Sequence, residues 1–494
     1  MYWIGLDIGT GATRALVVDA TGTIVAAHSS AHADVRMEKP LWAEQEADDW
    51  WRASQEAIRG ALSAAGVRGA EIRGVGFSGQ MHGLVMLDGE GKVIRPSLIW
   101  CDQRSQAQVD GIHQKIGRDR VVSFTANPAL TGFTLPKLLW VRDNDPRSYE
   151  RLRTVLVPKD YVRYKLCGEL GQDVSDASGT GVFDVAKRRW SGEMISELGL
   201  DAAWWPEVFE SSAIAGKITR EAAEATGLAE GTPVAAGAGD QAASAVGNGI
   251  VVTGIASCTL GTSGVVFAHM DEPAYDPAGR VHTLCHAVPG KWHVMGVTQG
   301  AGLSLQWFRN TMAPGVAYDS LMEEAATAEA GSDGLYWLPY LMGERTPHLD
   351  ALARGGWIGL TARHKRADLV RSVIEGVSYS QKDCLDVILD LGVEVEQVRA
   401  SGGGARSALW RQILADVFAR RVATLESQEG SAYGAALLGM VATGAFASVP
   451  EACAATVKVV STVDPRARES AAYGRRHEIY KTLYPTLKTT FPLL

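Results

Sequence analysis

The chain has 494 residues, of which 46% are hydrophobic and 21% charged, and its formal net charge is -8 at pH 7. This length exceeds what one hydrophobic core usually serves, so we expect two or more domains with a cleft between them. The composition is typical of a soluble globular protein, and no apolar run reaches transmembrane length. The negative charge disfavours nucleic acid as a partner, because binding to the phosphate backbone needs a concentrated basic face.

The N-terminus and the cysteines both point to a cytoplasmic protein. The first residues read MYWIGLDIGTGATRALVVD, with no basic flank before the apolar residues and with Asp7 among them, so no secretory signal is predicted. The six cysteines are isolated and lack metal-finger spacing, which predicts reduced cysteines used for packing. We therefore expect a cytoplasmic protein with neither a membrane nor a nucleic acid as partner.

The predicted elements of the first part of the chain alternate strands and turns. Apolar residues at 2–6, 15–18 and 24–27 are separated by DIGTGATR and DATG, which predicts three consecutive antiparallel strands. Apolar residues at helical spacing and a closing glycine predict a helix over 46–66. IRGVGFS and KVIRPSLIW, at 72–78 and 92–100, read as strands.

A similar pattern returns in the second part of the chain. GIASCTLGTSGVVFAHM, at 254–270, again predicts strand, Gly-Thr turn and strand, about 250 residues after the first such unit. This recurrence indicates an internal duplication of domains. Amphipathic helices are predicted over 366–392 and 407–420. We place the boundary near residues 247–253, which divides the chain into domains 1–248 and 249–494.

The two Gly-Thr turns are the first candidates for chemistry. Glycines let backbone amides approach an anion, and a threonine hydroxyl adds a donor, so the turns at Thr10 and at Gly261 and Thr262 could hold a polyphosphate between two domains. Each turn alone is better explained as an ordinary hairpin turn, but the recurrence favours phosphate binding. Asp7, just before the first turn, either serves Mg²⁺ or caps the turn backbone.

Two further loops are open to two interpretations. SGGGARSALW, at 401–410, leads glycines into a helix, which suits either a nucleotide loop or a tight strand-to-helix turn. GFSGQMHGL, at 76–84, places His82 in a loop after a strand, where ligand crevices form in α/β sheets. A lone histidine is, however, more often structural.

Asp240 lies within GAGDQAASAVGNG, where nearly every other side chain is small. The aspartate alone would be explained as the cap of the following helix. A cap does not need glycines on both approaches, so the alternative is that the small residues leave room for a substrate at the carboxylate. With an ordinary pKa of about 3.9, this aspartate would be ionised at neutral pH.

In this order along the chain, DIGT, GAGDQAASAVG, LGTSG and SGGGAR resemble the FGGY family of carbohydrate kinases. GFTLPKLLWVRDN and GGWIGLTARHKRADLVRSVIE are similar to the two signature segments of that family. PLWAEQ, SGQMHG, WCDQRS, VPKDY, DVSDASGT and GERTPH are most similar to the members that act on D-xylulose, since the glycerol kinases have an Arg-Glu pair where this chain has Met81 and His82.

The resemblance implies an α/β fold of two actin-like (ribonuclease-H-like) domains with a deep interdomain cleft, in which residues 1–248 bind the sugar and residues 249–494 bind ATP. The implied reaction converts ATP and D-xylulose to ADP and D-xylulose 5-phosphate. It also implies roles for individual residues: Asp240 as the catalytic base, Asp7 for Mg²⁺, Met81, His82 and Gln241 for the ketose, Thr10, Gly261 and Thr262 for the phosphates, and Gly302, Gln306, Gly404 and Ala405 for the nucleotide. Ala408 stands where a glycerol kinase has an asparagine near adenine. Family members are often dimers, so a homodimer is expected.

Two other functions compete with this one. The first is another kinase of the same family, acting on ribulose, glycerol or gluconate. The second is a non-catalytic actin-like protein, such as a sugar sensor or an ATP-driven interaction module. A regulator would be expected to carry a basic helix-turn-helix extension and a chaperone-like ATPase a peptide-binding domain, and the sequence shows neither pattern.

Overall fold

The computed structural model describes residues 1–427 and 429–494. Its first half contains, in chain order, β1 (Tyr2–Ile8), β2 (Ala12–Asp19), β3 (Ile24–Ala31), β4 (Glu44–Gln45), α1 (Ala47–Ala65), β5 (Ile72–Gly79), β6 (Val85–Leu87), β7 (Ser97–Leu98), α2 (Gln106–Ile116), α3 (Arg118–Thr125), α4 (Thr134–Asn144), α5 (Pro146–Arg151), β8 (Thr154–Leu156), α6 (Pro158–Cys167), β9 (Gln172–Asp173), α7 (Val174–Ala177), β10 (Phe183–Asp184), β11 (Arg189–Trp190), α8 (Gly192–Leu198), β12 (Val208–Phe209), β13 (Ile214–Lys217), α9 (Arg220–Thr226), β14 (Pro233–Ala235) and α10 (Asp240–Gly247).

The second half contains β15 (Gly254–Leu260), β16 (Gly264–Met270), β17 (His282–Cys285), β18 (Trp292–Thr298), α11 (Gly302–Met312), α12 (Tyr318–Ala326), β19 (Tyr336–Leu338), β20 (Gly356–Ile358), α13 (Arg366–Asp390), β21 (Val395–Ser401), α14 (Ala408–Phe418), β22 (Arg421–Leu425), α15 (Gly430–Ala442), α16 (Val449–Thr456), β23 (Val459–Val463) and α17 (Ala467–Leu487). Among the residues that the structure describes, no helix combines the length and the apolar character needed to cross a membrane.

Each half is built on one mixed sheet. The N-terminal sheet has the order β13-β14-β5-β1-β2-β3, and the C-terminal sheet has the order β17-β18-β16-β15-β21-β22-β23. In the first sheet β1 is antiparallel to β2 and parallel to β5. In the second, β15 is antiparallel to β16 and parallel to β21. This shared pattern confirms the α/β fold of two duplicated domains.

The strongest sequence patterns are confirmed. The three predicted N-terminal strands are β1, β2 and β3, which pair antiparallel in that order. Helix α1 ends at Gly66, which adopts a left-handed conformation with φ 64° and closes the last turn, as a C-terminal glycine should.

The strand predicted over residues 92–100 is largely wrong, since only Ser97–Leu98 is in a strand. Pro96 interrupts the segment because it lacks a backbone donor. Besides that short strand, the segment makes isolated bridges, from Val93 to Leu87 and from Leu98 to Leu84, instead of a continuous ladder.

Helix α15 comes late in the chain but packs on the N-terminal sheet, against β1, β2 and β5. Glycines make this close approach possible: a Cβ on Gly5 would lie 2.0 Å from the Ala432 carbonyl oxygen, and one on Gly76 would lie 1.9 Å from that of Ala435. The N-terminal sheet is therefore completed by residues from the far end of the sequence. The division at 248/249 stays a prediction.

Candidate active site

A cavity of about 520 Å³ lies between the two halves of the molecule. Its walls include Met81, His82 and Asp240 from the first half and His282 and Arg345 from the second. Gln241 also lines it. The structure thus brings the predicted base and the predicted ketose-binding residues to one interdomain cavity.

Strand pairing places Asp7 and Asp240 at the same edge of the N-terminal sheet. Strands β1 and β5 are parallel, and Asp7 lies opposite Ser78. Residues 237–239 continue the sheet beside β5, with a bridge from Gly79 to Gly239, so that the next residue, Asp240, emerges at the carboxyl ends of the strands. Ligands bind at this edge in open α/β sheets.

Asp240 does not cap the helix that it begins. The N-cap of α10 is Gly239, and no side chain makes a cap hydrogen bond there. The capping interpretation is therefore wrong, and the half-buried carboxylate is directed to the cavity.

The small residues that follow Asp240 serve helix packing. A Cβ on Gly434 of α15 would lie 1.8 Å from the Ala243 carbonyl oxygen, and one on Gly247 would lie 2.0 Å from that of Gly430. The sequence predicted that these residues leave room for a substrate, whereas the structure uses them to bring α10 and α15 into backbone contact.

The pKa of Asp240 is raised to about 7, first by burial and then by the negative charge of Asp7. Hydrogen bonds from Gln241 oppose the shift. This pKa lies above the ordinary aspartate value of about 3.9. Asp7 also has a raised pKa, mainly through burial, and its Oδ1 atom is buried without a hydrogen-bond partner.

A buried charge cluster supports the loop before Asp240. Lys159 Nζ lies 2.7 Å from Asp160, 2.8 Å from Asp173 and 3.2 Å from Asp176, all of them fully buried. Asp173 accepts a hydrogen bond from Ser175, whose Oγ accepts one from the Gly239 amide at 3.0 Å. The cluster is thus hydrogen-bonded, through Ser175, to the residue that precedes Asp240.

His82 is held in one orientation and one tautomer. Its Nδ1 lies 2.7 Å from the Gly179 carbonyl oxygen, and since a carbonyl only accepts, Nδ1 carries the proton. Its ring stacks on Phe133 at 4.8 Å between centroids, and its carbonyl accepts from the buried Lys137 at 2.9 Å. Burial, with a smaller effect of the Lys137 charge, lowers the pKa of His82 to about 3. Neutral His82 therefore presents Nε2 as an acceptor.

A second cavity, of about 470 Å³, begins at Asp7 and reaches the glycine-rich loop after β21. Gly402, Gly403 and Arg14 line it. Arg14 lies opposite Asp7 in the antiparallel register of β1 and β2. The guanidinium of Arg14 forms a two-pronged ion pair with Glu429, just before α15. This cavity joins the glycine-rich loop after β21 to the carboxylate of Asp7.

The glycine motifs of the second half converge. The Gly302 amide, at the start of α11, donates to the Gly261 carbonyl at 2.7 Å, and a Cβ on Gly302 would lie 2.5 Å from that oxygen. Gly402 lies against Leu260 and Gly261 in the same way. Gly404 packs between Leu260 and Trp410. Close packing thus brings the Gly-Thr turn, a helix N-terminus and the 401–410 loop together.

Not every predicted residue lies on a cavity wall. Thr10 Oγ1 accepts a hydrogen bond from Trp100 Nε1 at 2.9 Å, and Gln306 is exposed on α11. The predicted phosphate and nucleotide residues all lie outside the linings of the two cavities: Thr10, Gly261, Thr262, Gly302, Gln306, Gly404 and Ala405.

Sequence reasoning missed four charged or titratable residues of the site: Arg14, Lys159, His282 and Arg345. Arg14 stands in the DIGTGATR turn and Lys159 in VPKDY, both segments that the sequence analysis singled out. Their partners, such as Glu429 and Asp173, lie far away in the sequence, so no local pattern could show the pairs.

Comparison with known proteins agrees with this architecture. The models of the FGGY family of carbohydrate kinases match residues 2–247 (N-terminal domain) and 256–443 (C-terminal domain). The chain therefore belongs to the FGGY family of carbohydrate kinases, and it is a phosphotransferase with an alcohol group as acceptor.

Three individual proteins illustrate the similarity, each over almost the whole length of this chain. The chain is 36% identical to the xylulose kinase of Bacillus subtilis (strain 168) over 487 residues, which covers 99% of this chain and 97% of that protein. The structure of xylulose kinase from Rhodospirillum rubrum is similar with a TM-score of 0.94 at 30% identity, covering 99% of this chain and all of the other. That of gluconate kinase from Lactobacillus acidophilus also has a TM-score of 0.94, at 26% identity and 99% coverage of both chains.

Proposed function

We propose that this carbohydrate kinase transfers the γ-phosphoryl group of ATP to D-xylulose, giving D-xylulose 5-phosphate and ADP. The observation that carries the proposal is Asp240, a carboxylate in the interdomain cavity with a pKa raised to about 7. Similarity to proteins named xylulose kinase over almost the whole chain supports the choice of sugar.

Asp240 acts as the general base in this proposal. Phosphoryl transfer has a loose transition state, so catalysis comes mainly from in-line positioning and charge stabilisation, with a base to accept the hydroxyl proton. A base is most effective when its pKa lies near the operating pH. The burial of Asp240 and the charge of Asp7 give it such a pKa.

Asp7 is proposed to serve Mg²⁺. Among the described residues no group of three or more His, Cys, Asp and Glu side chains is arranged to hold a metal. Mg²⁺ does not require such a group, since it usually binds one or two carboxylates, several waters and the phosphates of its nucleotide. The buried, unpartnered Oδ1 of Asp7 fits this role. When bound, Mg²⁺ would neutralise charge on the β- and γ-phosphates.

ATP is proposed to lie along the second cavity, between the Gly-Thr turns and the 401–410 loop. Thr10, Gly261 and Thr262 would contact the phosphates, and Gly302, Gln306, Gly404 and Ala405 would line the rest of the nucleotide site. The glycine-rich loop suits this role, because residues without a Cβ let a phosphate or a flat ring approach the backbone closely. Ala408 begins α14 and offers no side-chain amide near adenine.

The ketose is proposed to lie in the interdomain cavity against Met81, His82 and Gln241. Neutral His82 accepts a hydrogen bond from a sugar hydroxyl through Nε2. Met81 packs against Gly239, where a Cβ would lie 3.0 Å from its Cγ atom, so it forms an apolar wall next to Asp240.

The function is tested with a panel of acceptors in an ADP-release assay: D-xylulose, D-ribulose, glycerol and D-gluconate. We expect kcat/KM to be highest for D-xylulose by at least tenfold. A higher value for another acceptor would reassign the sugar within the family. Binding of a sugar without ADP release from any acceptor would favour a sugar sensor instead.

A further inference from the structure

Three rings line up across the interdomain cavity. His82 stacks on Phe133 at 4.8 Å between centroids, and Phe133 lies 6.0 Å from His282 at a tilt of 50°. His82 and Phe133 belong to the first half of the chain, whereas His282 begins β17 of the C-terminal sheet. The second half of the molecule therefore contributes an imidazole of its own to the cavity.

Asn127 fixes the tautomer of His282. The Asn127 amide nitrogen donates to the carbonyls of Thr125 at 3.0 Å and Thr283 at 2.8 Å, so its Oδ1 atom is left to accept. His282 Nδ1 lies 3.1 Å from that oxygen and must carry the proton. His282 thus presents Nε2 to the cavity as an acceptor, as His82 does.

Arg345 is the unpaired arginine of this cavity. Of the three arginines in its lining, Arg280 pairs with Asp276 at 2.9 Å, and Arg118 donates to the Ala278 carbonyl at 2.6 Å. Among the described residues, no carboxylate lies within ion-pair distance of the Arg345 guanidinium. The neighbouring Glu344 uses its Oε1 to accept from the backbone amides of Gln299 and Arg345, both at 2.8 Å.

The unpaired cation lies at the imidazole end of the cavity. The charge of Arg345 lowers the pKa of both His82 and His282, in addition to the larger effect of burial. The groups that shift the pKa of Asp240 are instead Asp7 and Gln241. Strand β18 also connects these residues, since His282 lies opposite Met295 and the amide of Thr346, next to Arg345, donates to the Val297 carbonyl at 3.0 Å. Besides the carboxylate of Asp240, the cavity lining thus holds two imidazole acceptors and one unpaired cation.

We propose that His282 and Arg345 recognise the hydroxyketone end of the acceptor sugar, with His282 Nε2 accepting from the C1 hydroxyl and the Arg345 guanidinium donating to the C2 carbonyl oxygen. This assignment rests on the proposed function. A ketose offers one donor and one acceptor at adjacent carbons, which matches an imidazole acceptor beside a guanidinium donor. A terminal carboxylate would attract Arg345 but would also face the lone pairs of both imidazoles.

Variants of His282 separate recognition from support of the fold. His282→Asn keeps a donor near the Nδ1 position, toward Asn127, and removes Nε2, whereas His282→Gln keeps an acceptor near the Nε2 position. With D-xylulose, we expect His282→Asn to raise KM for the sugar about tenfold and KM for ATP less than twofold, and His282→Gln to recover part of the loss. With 1-deoxy-D-xylulose, which lacks the C1 hydroxyl, wild type and His282→Asn should have equal KM values within twofold.

Arg345→Met should raise KM for D-xylulose about tenfold, and Arg345→Lys should raise it less because a single ammonium keeps the charge but not the fork of donors. Arg280→Met is the matched control: it removes an arginine of the same lining that is already paired, and KM for the sugar should change less than twofold. Melting temperatures and the affinity for D-xylulose by calorimetry accompany the kinetics.

Equal effects of Arg345→Met and Arg280→Met would overturn the assignment of Arg345, because they would show a general effect of charge. A His282→Asn effect that persists with 1-deoxy-D-xylulose would overturn the assignment of His282. If the wild type does not phosphorylate D-xylulose, the proposed function fails and this assignment with it. If it does, and neither variant alters KM for the sugar, this assignment alone fails.

Discussion

The carboxylates of Asp7 and Asp240 lie at one edge of the N-terminal sheet, and the charge of Asp7 raises the pKa of Asp240. Asp7 is the penultimate residue of β1, near the start of the chain, and Asp240 begins α10 in a distant part of the sequence. Asp7, the proposed Mg²⁺ ligand, thus raises the pKa of Asp240, the proposed general base.

Asp240→Asn should lower kcat by at least a factor of about 10³ while ATP still binds. The amide keeps the shape of the side chain but cannot accept the hydroxyl proton, and general base catalysis contributes roughly 10²–10⁴ in rate. ADP release measures kcat, and calorimetry measures ATP binding. Phosphorylation of sugar at the wild-type rate by this variant would rule out Asp240 as the base.

The rate should depend on pH with an apparent pKa near 7. Asp240 must be ionised to accept a proton, and its pKa is about 7, so kcat/KM should fall tenfold per pH unit below this value and level off above it. Measurements of kcat/KM from pH 5.5 to about 9, at a fixed concentration of free Mg²⁺, would define this decrease and its midpoint.

Asp7→Asn should shift the acidic limb of the profile of kcat/KM against pH to lower pH. Removing a nearby negative charge stabilises the ionised form of Asp240 and lowers its pKa, although the loss of the Mg²⁺ ligand lowers the rate at every pH. The midpoint, rather than the height, of the profile is the readout. An unchanged midpoint would show that Asp7 does not set the pKa of Asp240.

His82→Ala should raise KM for the ketose about tenfold, equivalent to ~1.4 kcal/mol, with KM for ATP changed less than twofold. The imidazole is neutral and offers one acceptor to the cavity, so its loss removes one hydrogen bond to the sugar and its stacking on Phe133. Steady-state kinetics with each substrate varied in turn measures both values. Equal increases in both KM values would indicate that His82 only supports the fold.

Gly76→Ala should destabilise the protein by at least about 1–3 kcal/mol, because a new Cβ would lie 1.9 Å from the Ala435 carbonyl oxygen and the helix would have to move. Gly474→Ala is the control, since it has open space around it within α17 and should gain about 0.5–1 kcal/mol from helix propensity. Denaturation in urea compares the two free energies of unfolding. Similar values for both variants would argue against close packing of α15 on the sheet.

Lys159→Met should cost about 3–5 kcal/mol of stability, because it leaves the buried carboxylates of Asp160, Asp173 and Asp176 without their shared cation. Adding Asp176→Asn to this variant should restore part of the loss. Lys92→Met, which removes an exposed ion pair with Glu90, should leave the melting temperature unchanged. A Lys159→Met protein as stable as the wild type would show that the cluster does not hold the loop before Asp240.

Much of the fold could be predicted from local pattern. The alternating residues of β1 and β2 and the helical spacing of α1 are strong signals, and the second Gly-Thr turn at Gly261 revealed the duplication. The segment at 92–100 misled because it is apolar, with Leu98 and Ile99 buried, but forms no continuous ladder and leaves Trp100 exposed. The spacing of apolar residues along the sequence shows which side chains are buried, but not which backbone groups form hydrogen bonds between strands.

The sequence analysis singled out two residues that line the interdomain cavity, Asp240 and His82, and missed two others, His282 and Arg345. Asp240 and His82 stand in short, distinctive motifs, so resemblance could locate them. Arg345 and His282 face the same cavity from the other half of the molecule, and their chemistry depends on which partners they have or lack. Such relationships exist only after folding, as does the shift in the pKa of Asp240.

The packing of α15 on the N-terminal sheet bears on how the chain is made. When the ribosome has completed residues 1–248, the face of the sheet around Gly5 and Gly76 still lacks the helix that covers it, because residues 430–442 have not yet been synthesised. The two halves of the chain are therefore not independent in their folding. The core between the N-terminal sheet and α1 can form from the first half of the chain alone, but the opposite face of the sheet and α10 gain the helix that packs on them only near the end of translation.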